Sequence, residues 1–168
     1  MTSGLDAPVR VLPRKRAAAA MLFTDRQGRV LVVNPTYKPR WELPGGAVEE
    51  DESPGTAAVR EIAEELGIER AVGRLLAVDY VPADSSRART EGLILVFDGG
   101  VVEDPAVLRL PADELSDWAF VEPDRLGDYL PALQTRRAVE ALAARAAGAA
   151  VYLEDGWAAG DGAGNAVG

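Results

Sequence analysis

The chain has 168 residues, of which 48% are hydrophobic, a length and composition that suit one domain with its own core. Its formal net charge of −9 argues against a protein that binds duplex nucleic acid, because no large basic field is present to hold the phosphate backbone. The sequence contains neither cysteine nor histidine, which excludes disulfides, thiolate catalysis and metal sites built from these residues.

The first part of the chain predicts a loose start, two strands and a loop. Residues 1–14 contain Gly, Pro and scattered polar residues, and we expect a loose segment there. Ala17–Phe23 and Arg29–Asn34 predict strands, separated by a turn at Asp25–Gly28. The run PTYKPRWELPGG predicts a loop with a short extended piece at Trp41–Leu43, because its prolines and glycines interrupt regular structure.

A helix is predicted after this loop. Ser53 is a suitable N-cap, and Pro54 suits the first helical position because its missing N–H is not needed there. Apolar residues recur at every fourth position from Ala58 to Leu66 and predict one buried face. Gly67 follows at the position where a left-handed C-terminal cap is expected.

The second half predicts three further strands and two helices. The segments AVGRLLAVDYV, TEGLILVFDGG and SDWAFVEP favour strands. Pro123 opens a short helix that continues to Tyr129. The run ALQTRRAVEALAARAAG predicts an amphipathic helix, and we expect Arg136 and Arg137 on its solvent-facing side. A mixed sheet covered by helices, α/β or α+β, is the expected architecture.

No linker divides the chain, so we assign residues 15–155 to a single domain. The Gly- and Ala-rich residues 156–168 are expected to form a disordered tail. The early apolar run AAAAMLF is too short to span a bilayer, and no cleavage-site pattern follows it. We therefore expect a cytoplasmic protein without a membrane partner.

Three glutamates, Glu61, Glu64 and Glu65, are crowded into the last turns of the predicted helix. They share one helical face, where two carboxylates about 6 Å apart repel by roughly 3 kcal/mol at an effective dielectric near 20. An exposed ion pair between Arg60 and Glu64 offsets only about 0.3–0.5 kcal/mol of this repulsion. A solvated acidic face is one interpretation. The other is an oxygen-rich site for Mg²⁺ or Mn²⁺, completed by backbone carbonyls freed by a turn at Gly45–Gly46.

The same stretch carries the pattern G-x5-E-x7-R-E-U-x-E-E-x-G-U, where U is a bulky aliphatic residue, over the 23 residues from Gly46 to Ile68. This pattern resembles the signature of the Nudix hydrolase family, and the flanking segments are consistent with that family over residues 15–147. The resemblance implies a Nudix-type α/β/α sandwich with a mixed central sheet. It also implies a loop–helix–loop that binds a divalent metal ion.

Members of that family cleave a pyrophosphate bond in a nucleoside diphosphate linked to another group, using water and Mg²⁺ or Mn²⁺. The resemblance implies that three acids bind the metal and provide the base: Glu61, Glu64 and Glu65. The carbonyl of Gly45 is a further expected ligand. Arg60 would orient a glutamate of the helix, and Glu52 would brace the loop.

Several other positions have two interpretations each. Glu114 resembles the additional acid that many family members use before a late strand, and it could equally be a solvent-facing loop acid. Lys38 and Arg40 lie just upstream of the metal-binding turn, where they would meet phosphate oxygens or simply face solvent. Trp41 is either a nucleobase stacking partner or a packing residue. The basic residues of segment 10–16 favour a solvated strand edge, with contact to a substrate phosphate as the alternative.

The sequence therefore predicts a metal-dependent pyrophosphohydrolase that acts on a nucleoside diphosphate derivative. A non-catalytic nucleotide-sensing domain on the same fold is the alternative, although such a domain need not keep every acid. An isomerase of isoprenoid diphosphates would call for a cysteine, which this chain lacks. The sequence leaves open whether the substrate is a nucleoside triphosphate, ADP-ribose, a dinucleoside polyphosphate or a nucleotide sugar. It also leaves open whether the protein forms a homodimer.

Overall fold

The computed structural model describes residues 13–36, 40–87, 89–109, 111 and 115–159. These residues form one mixed sheet with an α-helix on each face. The strands are β1 Arg16–Thr24, β2 Val30–Pro35, β3 Gly45–Ala47, β4 Leu75–Val81, β5 Gly92–Val101, β6 Leu115–Val121, β7 Val151–Glu154 and β8 Trp157–Ala158. The helices are α1 Pro54–Leu66 and α2 Ala132–Ala147, with a 3-10 helix at Pro123–Asp128 before α2.

The sheet has the strand order β6-β2-β1-β5-β4-β7-β8, and β3 pairs with β1 outside this path. Strand β1 runs parallel to β5, and β4 runs parallel to β7, whereas the other pairs are antiparallel. The first half of β1 pairs with β3 through Ala18↔Ala47 and Ala20↔Gly45. The far end of β1 pairs with β2. This arrangement places β3 beside the start of the central strand.

The hydrophobic core has two halves, one on each face of the sheet, because side chains alternate along each strand. Met21 and Leu31 pack with Ile62 of α1 in one half. Leu22 and Val32 belong to the other half, beneath α2. The predicted α/β/α sandwich with a mixed sheet is confirmed. No helix in the described part of the chain is long and apolar enough to cross a bilayer.

Helix α1 begins and ends where the sequence predicts. The Ser53 side chain accepts a hydrogen bond from the backbone N–H of Thr56 at 3.2 Å, and Pro54 occupies the first turn. Gly67 adopts φ 64°, and its N–H donates to the Ala63 carbonyl at 3.1 Å. These local caps fix both ends of the helix that carries the three glutamates.

The prediction of a turn at Gly45–Gly46 was wrong, because both residues lie in strand β3. The Met21 N–H donates to the Pro44 carbonyl and the Val48 N–H to the Ala17 carbonyl, both at 3.0 Å. These partners lie more than twenty residues away along the chain. A short glycine-rich strand of this kind has no alternating pattern for the sequence to reveal.

The C-terminal hairpin formed by β7 and β8 is absent from the sequence prediction. Val151 lies opposite Ala77 in the parallel pair β7–β4, and Trp157 lies opposite Glu154 in the hairpin. The prediction of a disordered tail over residues 156–168 was wrong for its first residues, because Trp157 and Ala158 form a strand. Of the predicted loose segments, residues 1–12 and 160–168 lie outside the described residues.

The expectation that Arg136 and Arg137 face solvent was also wrong. The side chain of Arg137 is only 10% exposed, and its Nε donates to the fully buried Asp79 at 2.7 Å. Arg136 donates to the Asp155 carbonyl and lies over the Trp157 ring, 4.7 Å from its centre. The hairpin of β7 and β8 covers this side of α2. The amphipathic pattern of the helix sequence does not predict that a hairpin packs there.

Candidate active site

Arg60 connects the glutamates of α1 to each other and to the preceding loop. Its Nε and Nη2 donate to the two carboxylate oxygens of Glu52, both at 2.9 Å. Its Nη1 donates to Glu61 at 2.8 Å and to Glu64 at 3.1 Å. Its Nη2 also donates to the Ala47 carbonyl at 3.1 Å. One guanidinium therefore joins α1, β3 and the loop between them.

The bidentate bond between Arg60 and Glu52 changes the protonation behaviour of both groups. Hydrogen bonds from Arg60 and from the Glu49 N–H lower the pKa of the Glu52 carboxyl below its ordinary value of 4.5. The hydrogen bond with Glu52, followed by that with Glu61, raises the pKa of Arg60 despite partial desolvation. Both partners are therefore charged at neutral pH.

Glu65 is held from the other side by β3. Its side chain is buried, with the residue only 5% exposed, and its Oε2 accepts a hydrogen bond from the Gly45 N–H at 2.8 Å. Gly45 adopts φ 142°, and a Cβ at this position would come within 2.2 Å of the Ala19 carbonyl oxygen. Only glycine permits this close approach of β3 to β1, and the approach positions the donor for Glu65.

Gly46 makes room for the Glu61 carboxylate. A Cβ at Gly46 would lie 2.4 Å from the carboxylate carbon of Glu61. The two adjacent glycines therefore serve different purposes. Gly45 allows the backbone to pack, and Gly46 leaves space for a charged side chain.

The donor chemistry of this cluster fits a hard divalent cation, because carboxylate and carbonyl oxygens are the preferred ligands of such ions. Arg60 Nη1 lies within 3.1 Å of both Glu61 and Glu64, so these carboxylates already converge on a positive charge. Glu65 is directed instead to Gly45. Among the described residues, no three acidic side chains are gathered closely enough to hold an ion as they stand. A cation would therefore require rearrangement of Glu61, Glu64 or Glu65.

A cleft of about 1370 Å³ adjoins β3 and reaches the start of α2. Gly45 and Gly46 form part of its wall, so β3 borders both the cleft and the glutamates. Within the described ranges, five arginines line the cleft: Arg16, Arg40, Arg89, Arg136 and Arg137. Three acids also line it: Glu42, Asp84 and Asp155. The lining is therefore net positive, although the whole chain is acidic.

The structure separates the other predicted site residues. Arg40 is exposed and lines the cleft, whereas Trp41 packs against the core. Trp41 meets Tyr129 edge to face, with ring centres 5.1 Å apart. Lys38 and Glu114 lie outside the described residues.

Several residues that border the cleft were not predicted from the sequence, and Tyr129 and Arg137 are two of them. Tyr129 lines the cleft and is 39% exposed. Arg137 also lines it, although it was expected in solvent. Pro131, the N-cap residue of α2, lies two residues after Tyr129. Nothing near Arg137 in the sequence indicates its buried partner.

Comparison with known proteins identifies the family. The model of the NUDIX domain matches residues 13–143. The human protein "Diphosphoinositol polyphosphate phosphohydrolase 3-alpha" is 47% identical over 66 residues, which is 39% of this chain and 40% of that protein. Mouse "Diphosphoinositol polyphosphate phosphohydrolase 2" is 42% identical over 66 residues, or 37% of its length. The match thus spans about two fifths of the length of these curated relatives.

Solved structures share the fold over nearly their whole length. A MutT NUDIX hydrolase from Burkholderia pseudomallei is 26% identical with a TM-score of 0.62, over 76% of this chain and 98% of that one. A MutT protein from Methanosarcina mazei is 24% identical with a TM-score of 0.65, over 80% of this chain and 98% of that one. Because the family model covers most of the chain, including α1 and its glutamates, the protein belongs to the Nudix hydrolase family.

Proposed function

We propose that the protein is a metal-dependent pyrophosphohydrolase that cleaves the diphosphate bond of a nucleoside diphosphate derivative. One observation carries this proposal. The carboxylates of Glu61 and Glu64 converge on one cationic nitrogen beside β3, and the other side of β3 borders a cleft with a net positive lining. A phosphate-rich substrate suits such a cleft, and its scissile phosphates can lie next to the carboxylates.

The acids of α1 have different tasks in this proposal. Glu61, Glu64 and Glu65 would hold Mg²⁺ or Mn²⁺, with the Gly45 carbonyl as a further ligand. When bound, such an ion neutralises phosphate charge and makes a coordinated water more acidic. Arg60 keeps Glu61 and Glu64 together at 2.8 and 3.1 Å.

The cleft supplies groups for the rest of the substrate. Arg40 is exposed beside β3, and its guanidinium can donate to phosphate oxygens. Tyr129 offers a partly exposed ring for a nucleobase, and Trp41 braces that ring from the side. Trp41 thus supports stacking and does not itself form the stacking surface. Two roles remain predictions from the sequence alone: Lys38 would bind a phosphate, and Glu114 would assist the reaction as a further acid.

A diphosphoinositol polyphosphate is a second candidate substrate. The relatives that bear this name are up to 47% identical over the matched 66 residues. Five arginines line the cleft, which also suits a highly phosphorylated ring. This candidate uses the same carboxylates and the same bond cleavage.

A hydrolysis screen of the full chain tests the proposed function. The panel contains ADP-ribose, a nucleotide sugar, a dinucleoside polyphosphate, a nucleoside triphosphate and a diphosphoinositol polyphosphate. We expect cleavage of at least one compound, loss of cleavage on chelation and its return with Mg²⁺ or Mn²⁺. Activity that persists in excess chelator would contradict metal dependence. Binding without cleavage of any compound would favour the nucleotide-sensing alternative.

A further inference from the structure

The cleft extends from β3 along the first half of β1. Arg16, Ala18 and Ala20 share one face of this strand, because side chains alternate, and all three line the cleft. Ala20 lies opposite Gly45, next to the proposed site of cleavage. Arg16 is four residues away, which is about 13 Å along an extended strand. The small side chains of Ala18 and Ala20 leave an open floor on this face, on which a ligand can lie.

Arg137 also lines the cleft and has donors to spare. Its Nε donates to Asp79 Oδ2 at 2.7 Å, and the other oxygen of Asp79 accepts from the Gly156 N–H at 3.0 Å. In the described part of the chain, the Nη1 and Nη2 groups of Arg137 have no acceptor. Asp79 therefore fixes the guanidinium without using all of its donors.

Arg16 presents a second guanidinium to the same region. Its Nη2 lies over Gly92, where a Cβ would approach it to 3.3 Å, so the glycine leaves space for it. No described residue accepts a hydrogen bond from the Arg16 side chain. Desolvation lowers the pKa of Arg137, and the positive charge of Arg16 lowers it further, although Asp79 opposes both effects. Both guanidinium groups line the same cleft, so an anion bound there could accept hydrogen bonds from both.

The charges of two other arginines of the cleft are partly balanced by Asp155, which lies 3.5 Å from Arg136 and 3.9 Å from Arg89. Arg136 donates to the Asp155 carbonyl at 2.6 Å, and Arg89 donates to the Pro82 carbonyl at 3.1 Å. The 16-residue helix α2 adds further positive potential, because its first turn lines the cleft and no side chain of the described residues caps it. Unused donors are therefore available at Arg16, at Arg137 and at the start of α2.

We propose that Arg16 and Arg137, together with the first turn of α2, bind a phosphate monoester of the substrate that is separate from the cleaved diphosphate. This inference rests on the proposed function and narrows its substrate class. The substrate is a small molecule with a diphosphate at one end and a further phosphate at the other. A phosphorylated ribose and a polyphosphorylated inositol ring both present this chemistry. The arginine pair distinguishes such compounds from diphosphates without a second anionic group.

Direct binding to the full chain tests the subsite without catalysis. Adenosine 3′,5′-bisphosphate and inositol hexakisphosphate are titrated by calorimetry in buffer that contains a chelator. We expect at least one of them to bind, and we expect Arg16→Gln to weaken its binding at least about tenfold. The two probes distinguish a nucleotide source of the phosphate from an inositol source.

Arg26→Gln is the matched control. Arg26 is exposed beyond the opposite end of β1, and its loss changes the net charge by the same amount. We expect this variant to bind the probe like the wild type, and thermal melts of both variants confirm that they fold. Lack of binding by both probes, equal affinity in Arg16→Gln and wild type, or equal losses in the two variants would overturn the proposal. Failure of the metal-dependent screen with Arg16-dependent binding intact would reject only the proposed hydrolysis.

Discussion

The positive charge of Arg60 offsets the repulsion among the acids of α1. The main partner of Arg60 is Glu52 in the preceding loop. Within the helix alone, the only attraction available to these acids is the weak i,i+4 ion pair between Arg60 and Glu64. The folded chain adds a bidentate bond to Glu52 and single bonds to Glu61 and the Ala47 carbonyl. These contacts hold like charges together before any ion is bound. Arg60 therefore positions the carboxylates that the resemblance assigns to metal binding.

The depressed pKa of Glu52 predicts an acid-dependent loss of stability. Because the folded state holds the Glu52 proton less tightly than the unfolded state, Glu52 stabilises the fold above the ordinary pKa of 4.5. This contribution disappears as the pH falls through the lower, folded pKa. Glu52→Gln should therefore show a weaker decrease in stability between about pH 5 and pH 3, measured by urea unfolding.

Glu69→Gln serves as the control for that measurement. Glu69 is an exposed acid just beyond the end of α1. Its replacement should leave the acid dependence of the wild type unchanged. Identical pH profiles for Glu52→Gln and the wild type would show that the bond with Arg60 does not stabilise the fold.

Gly45 and Gly46 should respond differently to alanine. In Gly46→Ala the added methyl group displaces the end of a flexible side chain, Glu61, so the fold should persist while activity falls about a hundredfold. In Gly45→Ala the methyl group would clash with backbone atoms of β1, and alanine rarely adopts the φ of 142° that this position requires. The melting temperature should therefore fall. Gly127→Ala is the control, because nothing lies within 4 Å of its added Cβ. Wild-type turnover in Gly46→Ala would remove Glu61 from the reaction.

Among the secondary-structure elements, the hairpin of β7 and β8 changes the interpretation of the C-terminal region. It extends the sheet beyond β4, and its turn supplies the Gly156 N–H to the buried Asp79. The guanidinium of Arg136 lies over the Trp157 ring, 4.7 Å from its centre. These contacts secure α2 and, with it, the basic end of the cleft.

Deletion of residues 156–168 should therefore destabilise the protein. Asp79 would lose a hydrogen-bond donor in a fully buried position, at a cost of about 1–3 kcal/mol. For a chain of this size the melting temperature should fall by several degrees. A chain that ends at Ala159 retains the hairpin and is the control. Equal melting temperatures for the two truncated proteins would show that the hairpin contributes nothing to stability.

For the whole molecule, the sheet separates two charge environments. The acidic cluster of α1 lies on one face, and the basic cleft beside α2 lies on the other, with β3 between them. A substrate that spans β3 can present its diphosphate to the acids and its remaining groups to the arginines. Although the net charge of the chain is −9, the described residues that line the cleft carry a net positive charge.

Metal binding should stabilise the whole fold. An ion bound only by the native state adds about 2.7 kcal/mol at a hundredfold excess over its Kd. Thermal melts with millimolar Mg²⁺ should show a higher melting temperature than melts in chelator.

Glu65→Gln should reduce this shift and lower kcat at least about a hundredfold, because the amide removes a charged ligand. Glu69→Gln should behave like the wild type. Equal metal affinity in Glu65→Gln and wild type would overturn the assignment of Glu65 as a ligand.

The sequence by itself determined α1, its caps and the spacing of its glutamates, since these depend on residues a few positions apart. The same local pattern was enough to predict the Nudix family and the α/β/α sandwich. Only the tertiary structure decided the role of β3, the hairpin of β7 and β8, and the burial of Arg137. Each of these depends on partners far away in the chain, such as Ala19 for Gly45 and Asp79 for Arg137. Pairing over such distances is set by packing of the complete sheet, which no local pattern of residues encodes.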